Sequence, residues 1–294
     1  VGRRTFRLGM GQILVVGGAP KENLGKAVDM IRRASDEGCS VVVLPECLDL
    51  GWTHPSARRK SEPIPGSNSR RICMAARRSS VYVAAGLVER SGDRVYNSAI
   101  LVSPEGRILA KHRKINELSI ARGLYSIGSS LGVVETPLAS VGIAICADNF
   151  PNSLVFGHSL ARMGCNLLLS PSAWAVDADY DNAKKPYGET WKRGYRLLGK
   201  LYDLTTVGVS NVGWMTAGPW KGRKCIGCSL AVGPGGEILG QGSFGEEAEE
   251  LIVVDVRPQG PIAWGTDFAA VLKQRGYDVD GILTDRGYYS LSVA

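Results

Sequence analysis

No run of about eighteen apolar residues occurs in the sequence, so a membrane-spanning helix is not expected. Histidine is scarce: His54, His112 and His158 are the three in the chain, too scattered to read as a set of metal ligands. Cysteine occurs seven times, an odd number without regular spacing, which argues against a disulfide framework and for a reducing compartment. The opening residues, Val1 to Phe6, carry no apolar core of a secretory signal and run straight into a strand pattern. The expected location is the cytoplasm. No linker or shift of composition breaks the chain before about residue 258, which predicts one domain over 1–258. The tail, 259–294, is weakly patterned, and its apolar residues suit packing on that domain or on a partner subunit.

A concentrated patch of one charge is also missing. The net charge is +7, yet the basic residues are dispersed in groups such as Arg32-Arg33, Arg58-Arg59-Lys60, Arg70-Arg71 and Arg77-Arg78. Several of these fall on the polar faces of predicted helices, where a solvated surface explains them, so no nucleic-acid or membrane partner is expected. Cys225-x-x-Cys228 invites a zinc or redox reading, but no second pair with ligand spacing follows. A structural role is expected for both, with no metal and no cofactor.

What is present is a chain of 294 residues, 44% hydrophobic, long enough to bury one large α/β core. Residues 7–16 read as a strand. A helix follows from Asn23, with Leu24, Ala27, Val28, Ile31 and Ala34 on one face and Gly38 at its stop. Ser40 to Pro45 is an unbroken apolar strand, and strand, helix, strand predicts a right-handed parallel unit. The same logic returns from Ser140 to Ser170. Between them lie a predicted helix at 69–79 and strands at 81–89, 94–103 and 107–112; after them come a helix at 188–204, a strand at 206–211, a Gly-rich hairpin at 227–240 and a last strand at 251–254.

Three polar side chains stand where apolar strands end. Cys146 closes Val141-Gly142-Ile143-Ala144-Ile145, Glu46 follows Val43-Leu44-Pro45, and Lys114 ends the strand through Lys111-His112-Arg113. On strand spacing His112 and Lys114 share one face while Lys111 and Arg113 take the other, so one lysine can point inward. Open α/β sheets put their chemistry at strand ends, and a thiol needs a base or a cation beside it to act as a nucleophile. A buried structural cysteine is the alternative for Cys146.

The runs Leu44-Pro45-Glu46, His112-Arg113-Lys114 and Gly142-Ile143-Ala144-Ile145-Cys146-Ala147-Asp148 resemble the three signature segments of the nitrilase, or carbon-nitrogen hydrolase, superfamily. They stand in the family's order, and the similarity extends over about residues 6–256. The resemblance implies a four-layer α-β-β-α sandwich whose protomers pair through helices into homodimers or larger homo-oligomers. It implies a small-molecule substrate, with Glu46 as proton acceptor, Cys146 as nucleophile, and Lys114 with the backbone N–H after the cysteine stabilising an oxyanion. Glu117 matches the second carboxylate that many members place after the lysine; a surface glutamate is the alternative.

Two departures from the family pattern bear on the substrate. Many members read Phe-Pro-Glu where this chain has Phe150-Pro151-Asn152, and nitrilases commonly have Trp-Glu after the nucleophile where this chain has Ala147-Asp148. The second departure points to amides or N-carbamoyl compounds rather than nitriles. Nitrile hydrolysis on the same residues, or a binding protein that kept the fold, are the other readings. Trp52, Asn149, Phe150, Ser172 and Trp174 follow strand ends on the expected active face and are the candidate substrate contacts; Trp52 and Trp174 suit loop packing equally well. Asp148 fits substrate binding or the capping of the turn beneath the nucleophile.

Overall fold

The computed structural model describes residues 5–260, 262 and 268–276. Its first strand, β1 (Phe6–Gln12), turns Leu8 and Met10 into a buried core and Gly9 and Gly11 toward the helix that follows. A Cβ on Gly11 would lie 2.6 Å from Met30 Cγ and 2.8 Å from Leu44 Cδ2, so glycine is what lets that helix sit close against the strand. The helix, α1 (Pro20–Asp36), buries Leu24, Ala27, Ile31 and Ala34 along one stripe. Gly38, at φ +75°, turns the chain into β2 (Cys39–Val43), which runs parallel to β1.

Two further helices, α2 (Ala57–Lys60) and α3 (Ser67–Ser79), precede a long antiparallel hairpin of β3 (Tyr82–Ser91) and β4 (Arg94–Val102), to which β5 (Ile108–Arg113) is added. The second half begins with β6 (Val133–Glu135) and β7 (Ser140–Ile143), and α4 (Val155–Arg162) carries the chain to β8 (Leu167–Ser172), again parallel. Then follow β9 (Ala175–Val176), α5 (Glu189–Tyr202), β10 (Thr205–Ser210), β11 (Val212–Trp214), β12 (Lys224–Ile226) and the antiparallel pair β13 (Leu230–Val232) and β14 (Ile238–Gln241). β15 (Glu250–Val256) returns to pair with β1, and α6 (Phe268–Gln274) comes last.

Two six-stranded sheets result, in the orders β15-β1-β2-β3-β4-β5 and β14-β13-β10-β8-β7-β6, with a small third sheet of β11-β12-β9. Leu8, Met10, Val41, Val43 and Leu101 of the first sheet pack in one cluster with Val141, Ile143, Leu167, Leu169, Val207 and Val209 of the second. The sheets therefore lie face to face. Ile31, Ala34, Ile72 and Ala76 of α1 and α3 cover the outside of the first sheet, and Leu160, Leu198 and Leu201 of α4 and α5 cover the outside of the second. The fold is the four-layer α-β-β-α sandwich. The central strands β2, β8 and β10 are buried along most of their length because both faces are covered, which is why they read as nearly unbroken apolar runs.

Several boundaries differ from the sequence expectation. β1 ends at Gln12 because Ile13 to Val15 bend away to meet Val212, with Val15 N–H donating to Val212 O at 3.1 Å. α1 starts at Pro20 rather than Asn23: proline has the right φ for a first helical turn and no N–H to leave unsatisfied. The Asn23 side chain instead ties the helix to Val16 and Asp49. Of the expected tail, α6 places Leu272 in the apolar layer of α4 and α5, and Arg275 pairs with Asp203 at 3.1 Å. Gln259 accepts from the Asn166 side chain at 2.8 Å, and residues 261, 263–267 and 277–294 lie outside the described residues.

Candidate active site

Three chain segments leave the two sheets at one end and converge. Leu44 N–H still donates to Ala84 O as β2 runs out, and two residues later Glu46 N–H donates across the sandwich to Ser172 O at 3.1 Å. Lys114 directly follows β5, its N–H bonded to Asn97 O at 2.9 Å. Cys146 opens a 3-10 turn, Cys146–Asn149, just beyond β7. Its φ is +43°, a left-handed conformation that a non-glycine residue adopts at a cost of about 1–3 kcal/mol, held here by the packing around the turn.

Lys114 Nζ lies 2.6 Å from Glu46 Oε1, and the two side chains are each 1% exposed. Asn97 Nδ2 donates to the same oxygen at 2.5 Å, while Oε2 is buried without a hydrogen-bond partner. Burial opposes the charge on Lys114, but the neighbouring Glu46, Cys146 and Glu117 outweigh it and raise the ammonium well above the usual lysine range. Burial pushes the Cys146 thiol up, the charge on Glu46 adds to this, and the Lys114 ammonium and the Ala173 backbone N–H pull back without prevailing. At neutral pH the sulfur holds its proton beside a carboxylate. A thiol in that state can act as a nucleophile only if a neighbouring group takes its proton.

Glu117 is no surface residue: it is 1% exposed, and neither carboxyl oxygen has a hydrogen-bond partner. Burial lifts it to about 8; Lys114 lowers it, Glu46 and Asp148 raise it, and the nearby Asn97 amide lowers it. The raised value favours the neutral form of Glu117, which can donate as well as accept.

The turns that carry Lys114 and Cys146 are fastened to each other. Asp148 Oδ1 accepts from Ile115 N–H at 3.1 Å and Asn116 N–H at 2.7 Å, and Oδ2 accepts from Ile145 N–H at 2.9 Å. Asn116 returns the tie, with Nδ2 donating to Ala147 O at 2.7 Å. His112 Nε2 adds a fourth contact, 2.8 Å from Oδ2, so Asp148 caps the turn beneath Cys146 and its full shell leaves nothing for a substrate. On the opposite face of β5, Lys111 and Arg113 both pair with the buried Glu89, at 2.6 and 2.8 Å. The alternation read from the sequence sends His112 and Lys114 inward, as found.

The five candidate substrate contacts divide. Trp52 lies under Lys114, Nζ being 5.9 Å from the ring centroid, and packs edge-on against Trp220. Trp174 stacks on Trp191 with centroids 4.8 Å apart, and Phe150 stacks on the same Trp191 at 4.9 Å. Asn149 spends its amide N–H groups on Ala144 O and Ser170 Oγ, bracing the turn, and leaves a buried Oδ1 unpaired. The Ser172 hydroxyl turns back to Ser170 O at 3.1 Å, and it is the Ser172 carbonyl that touches Glu46 N–H. Ser172 therefore supports the carboxylate through its backbone.

A family model described as carbon-nitrogen hydrolase matches residues 7–265. The chain belongs to the carbon-nitrogen hydrolase family. This hydrolase is 29% identical over 281 residues to an omega-amidase NIT2 of Bos taurus, covering 88% of this chain and 94% of that one. It is 30% identical over 273 residues to a nitrilase of Pyrococcus abyssi, covering 91% and 92%. Among solved structures it resembles an amidase from Nesterenkonia sp., with a TM-score of 0.72 at 22% identity over 87% of this chain and 92% of that one. A variant of that amidase shows covalent addition of the acetamide moiety of fluoroacetamide at its active-site cysteine.

Among the described residues, no three His, Cys, Asp or Glu side chains come together to hold a metal ion. Cys225 and Cys228 are both buried, and burial pushes their thiols up to about 12 and about 11. The sequence reading missed Asn97, the Ala173 N–H at the sulfur, and Trp191 as the ring on which Trp174 and Phe150 stack. Asn97 had one signal: an amide inside the apolar strand Val95-Tyr96-Asn97-Ser98-Ala99, where a buried polar group needs a partner.

Proposed function

We propose that this hydrolase cleaves primary carboxamides of small molecules through a thioester on Cys146. The observation that carries the reading is the convergence, in one buried cluster, of a neutral thiol, a carboxylate and an ammonium drawn from strand ends dozens of residues apart. Glu46 accepts the thiol proton as sulfur bonds to the amide carbon. The carbonyl electron pair moves onto oxygen, where the Lys114 ammonium and the backbone N–H of Ala147 stabilise it. As the tetrahedral intermediate collapses, the C–N bond breaks and the nitrogen takes the proton from Glu46, releasing ammonia. Glu46 then removes a proton from water, which adds to the thioester carbon; the carbon–sulfur bond breaks and the proton returns to sulfur. Glu117, protonated at neutral pH, donates toward the substrate amide and keeps a second negative charge out of the cluster. Trp174, Phe150 and Trp52 wall the acyl side.

The omega-amidase relatives support an amide over a nitrile, as does Ala147-Asp148 after the nucleophile. Residues 1–258 are the catalytic unit in this reading, working in the cytoplasm as a homodimer or larger homo-oligomer. The resemblance and the seven free thiols support both statements; sedimentation velocity tests the assembly. The activity is tested by ammonia release from short-chain amides, N-carbamoyl amino acids and nitriles, together with mass spectrometry of the protein after fluoroacetamide. Turnover of amides with one stoichiometric adduct, absent in Cys146→Ala, is expected. Equal labelling of that variant, or preferential turnover of nitriles, would overturn the reading.

A further inference from the structure

We infer that Asn97 is a positioning residue that decides which oxygen of Glu46 takes the thiol proton. The inference rests on the proposed role of Glu46 as base. Glu46 Oε1 receives two donors, Lys114 Nζ at 2.6 Å and Asn97 Nδ2 at 2.5 Å, while Oε2 is buried and receives none. An oxygen with two strong donors has its lone pairs engaged, so the basic site is the other one. A carboxylate held by the lysine alone could rotate about its last bond and exchange its oxygens. The amide of Asn97 removes that freedom.

Asn97 is itself fixed from three sides. It lies within β4 opposite Val88, its carbonyl accepts from Lys114 N–H at 2.9 Å, and its Oδ1 accepts from the Cys47 thiol at 3.3 Å. The Cys47 contact sets the amide so that Nδ2 faces Glu46. The same residue therefore holds the backbone of the cation and the side chain of the base, and it is 0% exposed. Its amide also lies near enough to Glu117 to lower that carboxyl.

The test compares Asn97→Ala, Asn97→Asp and Glu46→Gln with the wild type in single-turnover acylation by a good amide substrate. Thermal unfolding is measured alongside. Asn97→Ala is expected to lower the acylation rate about 30-fold or more with KM changed less than about threefold, the mark of a lost transition-state contact. Asn97→Asp keeps the acceptor for Cys47 and can donate to Glu46 only when its new carboxyl is protonated. Its relative rate should recover as pH falls, a response that Asn97→Ala lacks and that a purely structural role would not produce. Acylation by Asn97→Ala within threefold of wild type, or a raised KM at unchanged rate, would overturn the inference. Should that variant fail to fold, a pH profile of Asn97→Asp parallel to wild type would overturn it. Activity surviving in Glu46→Gln would instead remove the base reading beneath it, so the two failures are distinct.

Discussion

Asp148 Oδ2 and His112 Nε2 stand 2.8 Å apart, both buried, joining the Cys146 turn to the strand that delivers Lys114. The carboxylate also accepts three backbone N–H groups from those two segments. Asp148→Ala would leave all four donors without a partner, and a single unsatisfied buried donor costs about 1–3 kcal/mol. Stability is expected to fall by roughly 3 kcal/mol or more, and kcat by about 100-fold, with the reacting side chains all present. Urea unfolding and steady-state kinetics check this; wild-type values for both would mean the tie does not position the turn.

Glu46→Gln and Lys114→Ala should both abolish turnover yet differ in stability. The amide of glutamine keeps the size of the carboxylate and leaves a buried lysine beside a polar group. Alanine at 114 leaves the Glu46 carboxylate buried with Asn97 alone, and breaking a buried ion pair from one side costs about 3–5 kcal/mol. Melting temperatures read side by side should place Lys114→Ala below Glu46→Gln. More than about 1% residual activity in either variant contradicts the proposed roles.

Glu117 gives a pH dependence with a definite sign. Its folded value of about 8 lies above the unfolded carboxylate value of about 4.3. The folded protein therefore keeps a proton that the unfolded chain releases. The associated stability is full below about pH 4, and it is lost as pH rises toward and through about 8. Glu117→Gln, uncharged throughout, should flatten this decline between about pH 5 and 8. In the wild type, kcat/KM should fall above about pH 8 as the acid ionises. Chemical denaturation across that range, with the variant as reference, checks the sign; an equal slope in both proteins would count against it.

Gly86 offers a steric test of how the Glu46 loop is seated. A Cβ there would lie 2.5 Å from Glu46 Cα, 2.7 Å from Pro45 O and 2.9 Å from Cys47 N, all backbone atoms of the loop that carries Glu46, the proposed base. Gly86 also bonds that loop on both sides, donating to Pro45 O and accepting from Leu48 N–H. Gly86→Ala should push Glu46 away from Lys114 and Cys146, cost about 1–3 kcal/mol by overpacking, and lower kcat at least tenfold. A fully active variant with an unchanged melting temperature would show that the loop yields freely.

That Glu46, Lys114 and Cys146 stand at strand ends was legible from the sequence, and the family resemblance singled them out; that they meet in one buried cluster was not. The inward turn of Lys114 followed from strand alternation past His112. Asn97 and Gly86 were not legible, since both lie inside strands and act through residues some fifty and forty positions away. Ser172 and Asn149 were placed at the right end of the molecule, but which way a hydroxyl or an amide turns depends on neighbours that only folding supplies.

The sequence by itself determined the strands, the helices with their stops, and the side chains able to do chemistry at strand ends, because those depend on spacing along one chain. Tertiary structure alone decided that a carboxyl at 117 is buried and pushed toward its neutral form, and that one oxygen of Glu46 is taken by two donors while the other stays bare. Protonation and hydrogen bonding depend on dielectric and distance in space, and neither quantity is written in the order of residues.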